Sequence, residues 1–172
     1  MRAWGLVPLA AGALAAAAVP KPDLLVTGDG RHVALIEPDG TPLMLRERSG
    51  DFTRSQIAEN AGFDGAPGWI EDRPGARCSP DACRFNILRN GRSWTVLAFR
   101  SAYFAPWADT VAGCASADIV IAERRLPRAC VPRWLKLDRE SLGKTGGLAI
   151  RLGDPPQVAT VAERVGEHPW AF

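Results

Sequence analysis

The sequence predicts an α/β chain of short elements laid against a sheet and preceded by one N-terminal hydrophobic helix. Three observations predict it. Residues 22–45, PDLLVTGDGRHVALIEPDGTPLML, alternate apolar, β-branched-rich runs with Gly-Asp-Gly and Pro-Asp-Gly, the pattern of a β-meander whose turns need glycine's positive φ. The 172 residues include 14 Pro and 17 Gly, which favours strands and brief helices over a bundle. Residues 3–19 form an uncharged apolar run that a soluble core would not hold.

Once the first twenty residues are set aside, a composition that is 47% apolar overall leaves enough material for one sizeable core, hence one domain. The net charge is +2, so no overall field steers the chain toward nucleic acid or anionic lipid.

Arg2 precedes the apolar run and Pro20-Lys21-Pro22 ends it. About 17 residues is the lower limit for a bilayer span and also suits a secretory h-region ending in small residues. Residues 1–20 therefore read as a transmembrane helix or a signal-like segment, and either exports residues 21–172. Arg2 favours a cytoplasmic N-terminus. A buried alanine-rich helix is the plain alternative, weakened by Gly5, Pro8, Gly12 and the lack of a polar face.

Beyond this segment the meander supplies strands over residues 24–27, 32–37 and 42–46. Ser49 or Asp51 is placed to cap a helix over 52–61, with Gly62 at its C′ position and Phe52, Ile57 and Ala58 or Ala61 on one face. Residues 64–74, rich in Gly, Pro and acid around Trp69-Ile70, read as a surface loop. The stretch 76–99 returns to strand character. Asn90-Gly91 between two alternating runs signals a hairpin with Phe85, Ile87, Trp94, Val96 and Ala98 toward the core. A helix over 107–112 ending at Gly113, a buried strand over 118–122 and a basic loop follow. The chain closes with WLKLD, a helix over 139–143, a strand over 147–152, a Pro-Pro turn and a strand over 157–161.

The four cysteines, Cys78, Cys83, Cys114 and Cys130, are an even number behind an export-like segment, which favours two disulfides. Cys78 and Cys83 flank a turn, and pairing them leaves Cys114 with Cys130, although three connectivities are open. A zinc site would want C-x-x-C pairs or neighbouring His, and neither occurs. A catalytic thiol or a binuclear centre would want more than His32 and His168.

Gly28-Asp29-Gly30 lacks the Gly-Lys-Ser/Thr of a phosphate loop and reads as a turn. Asp118 could be an active-site carboxylate, with a cap or loop hydrogen-bonder as its ordinary reading, and Asp138 reads as an N-cap. The best candidate surface is the cluster Arg124, Arg125, Arg128, Arg133, Lys136 and Arg139 around Trp134. Guanidinium groups neutralise phosphates and an indole stacks on an unpaired base. A solvated connector is the ordinary reading of such a run. The closing Glu167-His168-Pro169-Trp170 reads as a tail whose Trp fills a core edge.

Several segments in order carry a resemblance. They are PDLLVTGDGRHVALIEPDG after a hydrophobic run, CSPDAC before a hairpin, CASADIVIAERRLPRAC, Leu137-Asp138-Arg139, Gly146-Gly147-Leu148-Ala149-Ile150, and a final His-Pro-Trp. Together they resemble the C-terminal region of ComEC-type competence proteins, inner-membrane channels that import transforming DNA. The likeness covers nearly the whole chain, and His168 departs from the Arg-Pro-Trp usual in the family.

The resemblance implies a fold: a mixed-sheet sandwich with short helices, degenerate metallo-β-lactamase-like, over residues 21–172. The His-x-His-x-Asp-His motif of that fold has no counterpart here, so no catalytic residue, metal or cofactor carries over. The implied role is a non-catalytic extracytoplasmic domain that supports or guides transforming DNA at the inner membrane, with residues 21–172 on the periplasmic side. Its implied partners are the remainder of a polytopic channel, single-stranded DNA and the inner membrane, and the chain would then be a fragment or a split product. A disulfide-stapled periplasmic or secreted binding or scaffold module without a DNA role is the alternative.

Overall fold

In a computed structural model, which describes residues 6–17, 20–101, 103 and 106–166, two sheets pack face to face over a shared apolar interior. The first is six-stranded. Strands β1 (Leu24–Val26), β2 (Val33–Ile36) and β3 (Pro42–Met44) form the expected meander, extended by β4 (Gly68–Trp69) beside β3 and by β10 (Leu148–Arg151) and β11 (Gln157–Thr160) beyond β1. Every pairing is antiparallel except β3 with β4. The pairing of β1 with β10, Leu24 opposite Ile150, joins the two ends of the domain in one sheet.

The second sheet is five-stranded, in the order β5 (Arg77–Cys78), β6 (Ala82–Arg89), β7 (Arg92–Phe99), β8 (Ile119–Ile121), β9 (Leu135–Leu137). The β6–β7 hairpin turns at Asn90 and Gly91, with φ of 52° and 76°, the double positive φ that a two-residue turn demands. β7, β8 and β9 run parallel.

Alternation along the strands sorts the side chains. Leu24, Val26, Val33 and Leu35 meet Phe85, Ile87, Trp94, Val96, Ile119 and Ile121 between the sheets. The opposite faces carry helices. α2 (Asp51–Ala61) covers Ala34, Ile36 and Met44 with Ile57 and Ala61. α3 (Trp107–Ala115) and the loop after β8 cover Leu97, Phe99 and Val120 with Cys114, Leu126 and Cys130. Charged clasps join the sheets at their ends. Arg89 pairs with Asp23 and donates to the Ile36 carbonyl at 3.0 Å, and Arg46 meets Glu123 at 3.2 Å.

Several elements differ from the sequence reading, each for a local reason. α2 starts at Gly50, which offers no side-chain cap, because Ser49 is buried against the Met44 sulfur and Asp51 is already the first helical residue. Phe52 is 77% exposed instead of sharing the apolar face, which Ile57, Ala58 and Ala61 fill. The expected loop 64–74 contains β4 and a 3-10 turn at Ile70–Asp72. α3 continues through Gly113, where a Cβ would come within 3.1 Å of the Leu97 side chain. Asp138 does cap α4 (Arg139–Thr145), in a reciprocal box with Ser141. Thr160 and Glu163 build a second such box that starts α5 (Val161–Val165) where the last strand was expected to continue.

The N-terminal helix α1 (Leu6–Ala17) is 12 residues, about 18 Å at the α-helical rise, with side chains 7–15 exposed. No helix among the described residues is long and apolar enough to cross a membrane. The closing Glu167-His168-Pro169-Trp170 lies outside the described residues, as do residues 1–5 and 18–19.

Both disulfides form. Cys78 and Cys83 are register partners on β5 and β6, and Cys114 at the end of α3 joins Cys130 across β8, with no free cysteine left. A crosslink stabilises chiefly by restricting the unfolded chain, more so for a longer loop. Replacing Cys114 and Cys130 together by Ala is expected to lower the unfolding free energy by about 3 kcal/mol, against about 2 kcal/mol for Cys78 with Cys83. Urea titration of the two double variants checks the order.

Candidate nucleic-acid interface

The parallel strands divide the basic cluster between their two ends. Where β7, β8 and β9 begin, Asp118 is buried and its carboxylate accepts the Thr95 N–H at 2.8 Å. Its own amide donates to the Thr95 carbonyl at 2.8 Å, and its carbonyl accepts from Trp134 at 3.0 Å and Leu135 at 2.9 Å. So anchored, Asp118 faces two guanidinium groups, Arg92 and Arg133, each 3.8 Å away and each 58% exposed.

That separation is a charge contact and not a hydrogen bond, so both forks keep donors for another acceptor. Two positive charges share one buried negative charge, which leaves a local excess of one. Arg92 also lies over the Trp94 ring at 3.7 Å, and Trp94 stands 5.1 Å from Trp134 with the planes tilted by 58°. Trp94 is 2% exposed, so of the two rings only the partly exposed Trp134 reaches the surface, where the two half-exposed cations also stand.

At the other end of β8 the basic residues serve the fold. Arg124 is 8% exposed, its guanidinium 4.9 Å from the centre of the Phe99 ring. Burial draws its pKa below the usual arginine range, against an opposing pull from Asp81. Arg125 donates its Nε–H to Glu140 at 2.9 Å, and that bond and charge raise the Arg125 pKa and lower that of Glu140. Lys136 donates to the Pro127 carbonyl at 3.0 Å and lies 3.7 Å from Asp138. Arg128 and Arg139 are exposed. Of the cluster expected from the sequence, Arg133 and Trp134 thus sit together at one end, while Arg124, Arg125 and Lys136 are engaged at the other.

Arg92 is the residue that the sequence reading missed. Its signal was there, because Arg92 and Trp94 are two apart on a strand and therefore share a face. Asp118, read as a loop hydrogen-bonder, has that role and also gathers the two arginines.

His32 sits half-buried after the Gly30 turn, where burial lowers its pKa, Asp29 opposes that, and the nearby charges of Arg31 and Arg46 add to it. Among the described residues no three His, Cys, Asp or Glu side chains gather as metal ligands would. Comparison with protein-family models, with curated proteins and with solved structures finds no match to the chain.

Asp138 organises the basic loop. Burial opposes its ionisation, but hydrogen bonds from the Leu126, Ser141 and Glu140 amides and the Lys136 charge outweigh that and hold its pKa below the ordinary carboxylate value. A depressed folded pKa means that the contribution is complete above the unfolded value of about 4 and is lost as pH falls through the lower folded value. Asp138→Ala is expected to cost about 2–3 kcal/mol at neutral pH. The loss should shrink below about pH 4, which denaturation of both proteins across pH 2–7 would show as converging stability curves.

Proposed function

We propose that the chain is a non-catalytic, extracytoplasmic domain of a ComEC-type DNA-uptake channel, with a degenerate metallo-β-lactamase-like fold, that guides single-stranded DNA at the inner membrane. The observation that carries the DNA-guiding part is the surface around Trp134, where Asp118 holds Arg92 and Arg133 loosely near one partly exposed indole that rests against the buried Trp94. Unpaired bases stack on aromatic faces regardless of sequence, and guanidinium groups track the phosphates between them. Other support comes from the order of segments in the sequence and from two sheets that carry helices on their outer faces. Two disulfides agree with an oxidising compartment and so with export through residues 1–20.

A scaffold module without a DNA role is the second reading, favoured by one observation: Arg124, Arg125 and Lys136 are tied up within the fold, which leaves few cations for phosphate.

Anisotropy of a labelled oligothymidylate against salt separates the two. Binding should weaken as salt rises, and Arg92→Ala and Arg133→Ala should each reduce the slope of log K against log salt by about 0.7. Trp134→Ala is expected to cost about 1–3 kcal/mol of binding. Asp118→Asn should tighten binding, because it removes the charge that competes with phosphate while keeping an acceptor for the Thr95 amide. Binding that is absent, or indifferent to salt and to both arginine variants, would leave the scaffold reading. N-terminal sequencing of the mature protein tests the anchor separately, since cleavage after the alanine run would make the domain soluble.

A further inference from the structure

The outer face of the first sheet is covered over β2 and β3 but open over β1 and β10. Leu25 and Ala149, the outward register partners there, floor a groove of about 770 Å3 that α2 walls with Ile57. At its lip stand Phe52 of α2 and Val161 of α5, 77% and 47% exposed. Lys21, Arg151 and Arg164 also line the groove, and none makes an ion pair among the described residues, although the charge of Lys21 reaches Asp39. Glu59 is the one carboxylate on the lining among the described residues, and it accepts a hydrogen bond from Gln56 at 3.2 Å.

An apolar groove rimmed by cations suits an anionic amphiphile. The chain itself points to its source. Pro20 and Pro22 border the groove, and just ahead of them lies α1, a helix with no charged residue whose Val7, Leu9 and Leu14 are 68–72% exposed. We infer that this face docks on an anionic lipid bilayer, with α1 and the lip residues Phe52 and Val161 in its apolar layer and Lys21, Arg151 and Arg164 against headgroup phosphates. A cation near an anionic leaflet strengthens association by roughly fivefold, so three together hold the domain in one orientation. The inference rests on the membrane-associated part of the reading above and not on DNA binding, whose surface around Trp134 belongs to the other sheet.

The test is amide exchange of the full chain with vesicles of phosphatidylcholine alone or mixed with phosphatidylglycerol. Exchange across α2 and β10–β11 should slow on the mixed vesicles only. The triple variant Lys21→Glu, Arg151→Glu, Arg164→Glu should lose that slowing while still floating with vesicles through α1, and Phe52→Ser should lose part of it. Equal slowing on both lipids, or slowing that survives the triple variant, overturns the inference. Flotation without any slowing removes this docking face alone, whereas failure to float with either vesicle removes the membrane-associated reading as well. Slowing without vesicles would assign the groove to another occupant and also overturn the inference: a second copy if it depends on concentration, or residues 167–172 if it is lost on truncation after Gly166.

Discussion

Everything in this fold depends on two sheets sharing one dry interior. Each strand can turn only alternate side chains toward that interior, so every outward face needs its own cover, and the chain supplies it unevenly. α2 seals β2 and β3, and α3 with the disulfide-tied loop seals β7 and β8. Where no cover is supplied, over β1 and β10, an open groove results. The two surfaces of interest are both consequences of where the layers stop: one at the end of the parallel strands, one on an uncovered sheet face.

Arginine does two kinds of work in the molecule, and burial divides them. Arg73, Arg84 and Arg89 reach backbone carbonyls at 2.9–3.0 Å while meeting a carboxylate or a hydroxyl, using the planar fork to fasten one element to another. Arg124 spends its guanidinium on an aromatic face near the interior. Arg92 and Arg133 differ because their shared carboxylate is held in place by the Thr95 amide and stands too far for a fork to close on it. The basic loop therefore presents less available positive charge than its sequence advertises, and one buried aspartate places Arg92 and Arg133.

Local signals in the sequence carried far. Asn90-Gly91 marked the hairpin, Gly30 and Gly40 the meander turns, and Asp138 a helix start, because each is a short-range requirement of backbone conformation. The close pair Cys78 and Cys83 was legible as two strands meeting at a turn. What stayed hidden depends on distant partners. β4 is two residues long and exists only because β3 offers it an edge. The basic cluster looked contiguous along the chain, yet β8 and β9 carry its members to opposite ends of a sheet, so Arg133 lies with Arg92 of the hairpin and apart from Arg124. Phe52 looked like a core residue by its type, but the helical period sets it on the side of α2 opposite Ile57, Ala58 and Ala61, a local reason instead of a distant one.

The antiparallel match of Leu24 with Ile150 has a consequence for how the molecule is made. The first strand synthesised needs as its neighbour one of the last, with almost the whole domain between them, so the larger sheet cannot close until that distant segment has emerged. The hairpin and its parallel neighbours, by contrast, are drawn from one continuous central stretch and can assemble on their own schedule. Synthesis from the N-terminal side would thus leave the leading meander with an unmatched margin until β10 emerges, a period in which a chaperone has something to shield.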